Sequence, residues 1–232
     1  MTTLLAFDVY GTLIDPWAIA DELQPTLGDR ADAVSAQWRA SQLQLSFRRG
    51  LMGRYVDFGT CTRDALDVAI AAQGLEVDET TRREWMAAYQ RLPAFDEVDA
   101  ALAGLVAAGF RCVAFSNGTA KAMQTVLGNA GIDHHFEAMI SVDAIKRFKP
   151  DPAVYHDMIR RTGALHRDSW LVSSNNWDVQ GARHVGLNAA WIHRDPTSII
   201  EDRALVPNLE VSGLDELEPA LARHETGGAA LK

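Results

Sequence analysis

Apolar residues run unbroken through Leu4-Leu5-Ala6-Phe7 and stop at Asp8, with Gly11 shortly after. A short run of that kind ending at a turn signal predicts a buried parallel strand that delivers Asp8 to its carboxyl end. From Pro16 to about Pro93 the pattern turns helical, with few glycines and no period-two strand. Within it Val34, Trp38 and Leu45, spaced by four and seven, predict a core-facing helix stripe with Arg39 beside it. From Asp96 strands and helices alternate. Val98, Leu102, Leu105 and Val106 predict an amphipathic helix stopped by Gly109, followed by a strand from Arg111 to Phe115. Asp151-Pro152 predicts an N-cap and first helical position for a helix carrying Tyr155, Met158 and Ile159. Trp170-Leu171-Val172 predicts a strand, Asp178 to His184 a helix closed by Gly186, and Ala189 to Ile192 another strand.

This rhythm is that of an α/β protein with a parallel sheet. The first strand must pair with strands that follow the helical stretch, so the core is discontinuous in sequence. The expected division is a Rossmann-like catalytic core over 1–15 and 94–223 and an inserted helical cap over 16–93. The segment 224–232, containing Gly227-Gly228-Ala229-Ala230, is expected to be a frayed tail.

A chain of 232 residues is long enough to bury a sizeable core. Its net charge of -9 argues against nucleic acid and anionic membranes as partners. An anionic substrate would have to find local cations against that field, which singles out Arg39 and Lys149. No apolar run reaches the length of a membrane span, and the start of the chain lacks the basic region of a secretory signal. Cys61 and Cys112 have no metal-ligand spacing, and reduced thiols in a cytoplasmic protein are expected. The histidines, including the adjacent pair His134-His135, also lack ligand spacing.

Ligands of open α/β sheets bind outside the carboxyl ends of the strands. An acid there, such as Asp8, suits a nucleophile, although an aspartate capping a turn gives the same pattern. Ser116-Asn117 at the Gly118 turn could aim donors at a small anion or only bond locally. Lys149 reads as a site cation or an exposed loop lysine, and Asp178 as a base or an ordinary helix-start carboxylate.

Taken in order, Asp8-Val9-Tyr10-Gly11-Thr12-Leu13, Trp38-Arg39, Ser116-Asn117-Gly118, Lys149-Pro150-Asp151 and Ser173-Ser174-Asn175-Asn176-Trp177-Asp178 resemble the haloacid dehalogenase superfamily. Within it they resemble the L-2-haloacid dehalogenases, and the last segment is the most specific. The resemblance implies hydrolytic dehalogenation of short-chain (S)-2-haloacids to (R)-2-hydroxyacids with inversion, through an ester on Asp8. It implies that Lys149 balances Asp8, that Asp178 activates water, and that Asn175 and Ser173 orient the carboxylates. Thr12 is expected to orient Asp8, and Tyr155 to hydrogen-bond within the site. By the same resemblance Ser116 binds the substrate carboxylate, Asn117 helps hold the halide, Arg39 accepts it, and Phe58 forms an apolar wall. Trp177 is expected to pack beside the site, and a homodimer is implied.

Magnesium-dependent phosphatase relatives carry an acid two residues after the nucleophile, to protonate a leaving alkoxide. Here that residue is Tyr10, and halide needs no proton. Ser173, Ser174 and Asn175 stand where those relatives cluster acids, so neither metal nor cofactor is expected. The alternatives are a small-molecule phosphatase of the same superfamily and a catalytically silent metabolite-binding protein. After Arg39 the run Ala40-Ser41-Gln42-Leu43-Gln44-Leu45-Ser46-Phe47 departs from the family's usual Gln, Lys and downstream Tyr-Thr-Trp, which alters the pocket wall.

Overall fold

Leu4–Phe7 forms β1, every residue of it buried, at the centre of a six-stranded sheet in the computed structural model, which describes residues 2–229. The other strands are β2 (Arg111–Ser116), β3 (Ala138–Ser141), β4 (Ser169–Ser173), β5 (Asn188–Ile192) and β6 (Leu209–Val211). All pairings are parallel, in the order β3-β2-β1-β4-β5-β6. Alternation along β1 divides the core: Leu5 and Phe7 face one layer, while Leu4 and Ala6 face the layer of Phe115 and Tyr155. Each fully buried Leu or Phe contributes about 1.5–3 kcal/mol by leaving water. The strand order reverses at β1, where one connection leads to β2 and the neighbour on the other side is β4. That switch point is where such sheets open a binding crevice.

Between β1 and β2 the chain leaves the sheet for α1 (Ile19–Leu27), α2 (Ala31–Leu51), α3 (Phe58–Ala72) and α4 (Glu79–Ala88). The outgoing and returning segments are hydrogen-bonded to each other, Asp15 N–H to the Pro93 carbonyl at 2.9 Å and Phe95 N–H to that of Leu13 at 3.1 Å. Asp57 and Asp78 cap α3 and α4 by accepting from the Thr60 and Thr81 N–H groups. On α2, Val34 and Trp38 are buried and Leu45 half-buried, as the stripe predicts. The same helix also buries Ser35, Arg39, Gln42 and Ser46, a polar line the apolar pattern does not show.

The remaining helices, α5 (Val98–Ala107), α6 (Ala120–Asn129), α7 (Pro152–Thr162), α8 (Asn176–His184) and α9 (Leu217–Ala229), flank the sheet. Two expectations are corrected. Val106 is 44% exposed, because Val98, Leu102 and Leu105 fill the inward face of α5 and the next position turns away from it. The frayed tail does not begin at His224, since α9 runs through Ala229; residues 230–232 lie outside the described residues. Cys61 and Cys112 are unpaired and buried, and burial pushes the Cys112 thiol up to about 12. Among the described residues no helix is long and apolar enough to cross a membrane.

Candidate active site

The carboxyl ends of β1, β2 and β4 and the loop before α7 converge on Asp8. Its N–H bonds the Val172 carbonyl of β4 at 2.9 Å, so the nucleophile candidate is fixed by the sheet ladder. The chain then turns at Gly11 with φ +92°, and a Cβ there would lie 3.2 Å from Ser174 Oγ. Both the left-handed backbone and the lack of space require glycine.

Each Asp8 oxygen has its own donors. Lys149 Nζ lies 3.1 Å from Oδ1, while Thr12 Oγ1 at 3.1 Å and Asn175 Nδ2 at 2.7 Å donate to Oδ2. Lys149 is fully buried and spends its three N–H bonds on Asp8, Asp178 Oδ2 at 2.8 Å and the Phe115 carbonyl at 2.8 Å. Its ammonium also stands 4.1 Å from the Phe115 ring centroid. Two carboxylates thus share one cation in a dry site. Burial holds the Asp178 pKa above the ordinary carboxylate value, Lys149 opposes that rise, and Asp8 adds to it.

The Tyr155 hydroxyl donates to Asp178 Oδ1 at 2.6 Å, and burial followed by that carboxylate pushes its own pKa far up. Gly181 makes room for it: a Cβ there would collide with the Tyr155 hydroxyl and sit 2.7 Å from Pro150 Cβ. At the end of β2, Ser116 Oγ accepts from the Gly118 N–H at 3.1 Å. Asn117 Oδ1 accepts from the Lys149 N–H at 2.9 Å, tying this turn to the lysine loop.

From α2, buried Arg39 donates through Nη2 to the Tyr10 carbonyl at 3.2 Å and through Nη1 to Gln42 Oε1 at 2.8 Å. The Tyr10 ring packs on Tyr89 with centroids 5.5 Å apart, and burial drives its phenol pKa well up, so it stays a neutral hydroxyl. Phe58 is buried with its ring 6.1 Å from that of Phe148. Trp177 meets Phe47, from the altered cap segment, edge to face at 5.3 Å. Two clefts flank the cluster. One is lined by Gly11, Arg39, Ser174 and Asn175, the other by Phe47, Phe148, Lys149 and Trp177.

The structure therefore joins Asp8, Thr12, Asn175, Lys149, Asp178 and Tyr155 in direct contact. Asn117 is bonded to Lys149 and the Tyr10 carbonyl to Asn175, Arg39 reaches the cluster through that carbonyl, and Ser116 bonds the Gly118 N–H of its own turn. Ser173 departs from its expected place: its hydroxyl accepts from the Asn175 N–H at 3.1 Å and so positions that residue rather than a carboxylate. Ser174 does more than the sequence suggested. Its hydroxyl donates to the Gly11 carbonyl at 2.6 Å and its N–H to Thr12 Oγ1 at 2.9 Å, bracing the nucleophile turn.

Magnesium in this fold needs hard oxygens facing an open position. Here Asn175 Nδ2 bridges Asp8 Oδ2 at 2.7 Å and the Tyr10 carbonyl at 3.1 Å, and Arg39 donates to the same carbonyl. The oxygens that would face the ion are met by N–H donors and a fixed cation, so this donor set does not fit magnesium. A separate group of metal-capable side chains, Asp99, His134 and His135, lies outside the cluster, with Asp99 Oδ1 bonded to His135 Nε2 at 2.7 Å.

A sequence model of the haloacid dehalogenase-like hydrolases matches residues 2–186, and the chain belongs to that family of hydrolases. Within it the likeness narrows to L-2-haloacid dehalogenases. (S)-2-haloacid dehalogenase 2 of Pseudomonas sp. (strain CBS-3) is 38% identical over 213 residues, covering 92% of this chain and 93% of that one. The structure of L-2-haloacid dehalogenase from Xanthobacter autotrophicus superposes with a TM-score of 0.87 at 33% identity, over 96% of this chain and 99% of that one. The same enzyme with chloropropionic acid covalently bound gives a TM-score of 0.86 at 32% identity and the same coverage.

Proposed function

We propose that this protein hydrolyses short-chain (S)-2-haloacids to (R)-2-hydroxyacids, without a metal, through an ester on Asp8. The observation that carries the reading is how Asp8 is presented: its charge is balanced by Lys149, its orientation is set by Thr12 and Asn175, and no acid stands where a leaving alkoxide would need a proton. A phosphatase would need that acid.

Ser116 binds the substrate carboxylate, and Phe58 and Trp177 wall its carbon chain. An Asp8 oxygen attacks C2 from the face opposite the halogen. The C–X electron pair leaves with halide, which Arg39 and the Asn117 amide receive, and C2 inverts once. Asp178 then takes a proton from water, and the hydroxide attacks the ester carbonyl carbon of Asp8. Collapse breaks the bond between the ester carbonyl carbon and the C2 oxygen. The leaving alkoxide takes the proton Asp178 holds, the acid formed on Asp8 gives up the added hydroxyl's proton, and the net products are hydroxyacid, halide and one proton. Esterification neutralises Asp8 and so removes one of the charges that hold Asp178's pKa up. The base is therefore ionised when water must be activated.

The helical stretch 16–93 acts as the cap and 1–15 with 94–223 as the core, with the reaction between them. The protein works in the cytoplasm, where its buried thiols stay reduced, and as a homodimer like the family it resembles. The direct test is halide release from L-2-chloropropionate, D-2-chloropropionate and chloroacetate in the presence of a chelator. The L form is turned over and the D form refused. Absence of halide from all three would return the reading to a phosphatase or a binding protein.

The pH dependence has a defined sign. Ionised Asp178 is needed as base in hydrolysis of the ester, after halide has left, so kcat is lost as pH falls and Asp178 takes up a proton. The Tyr155 hydroxyl stabilises the ionised form. In Tyr155→Phe the acid limb of the kcat profile therefore moves to higher pH, which a pH series on both proteins measures. A limb that stays put would remove Asp178 from the base role.

A further inference from the structure

Arg39 is held by uncharged oxygens alone. Its partners are the Tyr10 carbonyl and Gln42 Oε1, and no carboxylate is paired with it among the described residues. Gln42 is fully buried in the middle of α2 and is itself held from two further helices. Its Nε2 donates to Thr62 Oγ1 of α3 at 2.6 Å, and the Tyr89 hydroxyl, at the end of α4, donates to its Oε1 at 3.3 Å. Thr62 in turn donates to the Phe58 carbonyl at 2.8 Å. Because the threonine hydrogen is spent there, Thr62 Oγ1 can only accept from Gln42, and this fixes which end of the amide faces Arg39. Trp38 Nε1 donates to the Thr62 carbonyl at 2.7 Å and the Trp38 ring packs 5.1 Å from that of Tyr89, closing the arrangement.

We propose that Gln42, held by Thr62 and Tyr89, is a positioning residue that aims the Arg39 guanidinium at the departing halide while leaving its charge uncompensated. This rests on the assignment of Arg39 as halide acceptor made above. The chemistry explains why an amide stands here. A carboxylate would orient the guanidinium equally well, but it would pair with it and reduce its pull on an anion. An apolar residue would leave Thr62, Tyr89 and one Arg39 N–H without partners in a buried place, at a cost for each. A neutral acceptor with a donor on its other end avoids both. Two of the five guanidinium N–H groups are spent on the protein and three remain for an anion. The three cap helices thereby act together on the leaving group.

The test uses Gln42→Glu, Tyr89→Phe, Thr62→Ser and Arg39→Lys in the full chain. Each is assayed with L-2-chloropropionate and L-2-bromopropionate, with added bromide as product inhibitor and with a thermal melt. In Gln42→Glu bromide inhibition weakens by about tenfold, because the new carboxylate competes for a charge-assisted contact. Chloropropionate turnover falls more than bromopropionate turnover, since the poorer leaving group depends more on the cradle, while KM changes little. Tyr89→Phe, which removes only one donor to Oε1, shifts bromide inhibition the same way by about two- to threefold. Thr62→Ser keeps the hydroxyl and behaves as wild type. A folded Gln42→Glu, or a folded Tyr89→Phe should the first not fold, with unchanged bromide inhibition and an unchanged bromo-to-chloro ratio would overturn the proposal. If Arg39→Lys also leaves bromide inhibition intact, the halide assignment of Arg39 fails instead, and the two failures are thereby told apart.

Discussion

Replacing Asp8 by Asn abolishes halide release, with kcat falling by about four orders of magnitude or more, as when an enzyme loses its nucleophile. The fold survives this change, for an electrostatic reason. The wild-type cluster sets two carboxylates against one ammonium, and Asp8→Asn leaves Lys149 and Asp178 as a balanced pair 2.8 Å apart. The amide also cannot present two acceptors. Its NH2 group must face either the Lys149 ammonium or the Asn175 amide nitrogen, so the side chain turns from the geometry that Thr12 and Asn175 impose on the carboxylate. A melt close to wild type alongside lost turnover is the expected pair of results. Unchanged multiple-turnover halide release by the variant would remove Asp8 from its role. Heavy-oxygen water gives an independent check on the wild-type protein. A first turnover places the label in Asp8 and later turnovers pass it to product, because water attacks the ester carbonyl. Label in product from the first turnover would mean that water attacks C2 itself.

Much of this site could be read from the sequence because strand ends announce themselves. Leu4 to Phe7 and Trp170 to Val172 are apolar runs that terminate in polar residues, and a parallel sheet aligns such terminations at one edge. Local pattern sufficed to put Asp8, Ser116 and Ser173 at the carboxyl ends of strands. It did not suffice for β3 and β6, because Ala138 is exposed, Met139 half-buried, and β6 is three residues long. The helix running past His224 was hidden by its glycines, which oppose helix in the absence of tertiary support.

The cap was harder for a different reason. Ser35, Arg39, Gln42 and Ser46 recur at spacings of four, three and four, which is the mark of one helix face, but a polar face normally meets solvent. That this one is buried depends on Thr62 and Tyr89, which arrive from other helices. A partner distant in sequence likewise decides the role of Ser174. Ser173 ends β4 and supports Asn175 two residues on, whereas Ser174, the next residue, donates to the carbonyl of the Gly11 turn.

Lys149→Met should be worse than Asp8→Asn, because it costs stability as well as activity. The ammonium is fully buried and satisfies Asp8, Asp178 and the Phe115 carbonyl at once. An apolar side chain of similar length fills the volume but leaves two like charges facing each other in a dry site. Removing one member of a buried ionic cluster costs about 3–5 kcal/mol. The pH dependence of that loss identifies its cause. Lys149 is the main influence lowering the Asp178 pKa against burial, so without it that pKa rises further above its unfolded value. A carboxyl group whose folded pKa is raised binds more protons folded than unfolded between the two values, so stability falls as pH rises through that window and is regained as pH falls. Urea unfolding of Lys149→Met should therefore show the larger deficit against wild type near neutrality and a smaller one in mild acid. Adding Asp178→Asn should restore part of the stability and none of the turnover. Lys149→Arg should not rescue activity: the planar guanidinium must fit where a compact ammonium sits 4.1 Å from the Phe115 ring centroid, and its donors, fixed in one plane, do not follow the directions the ammonium serves. A deficit independent of pH would mean that the lysine matters for packing alone, and that the two carboxylates are not coupled through it.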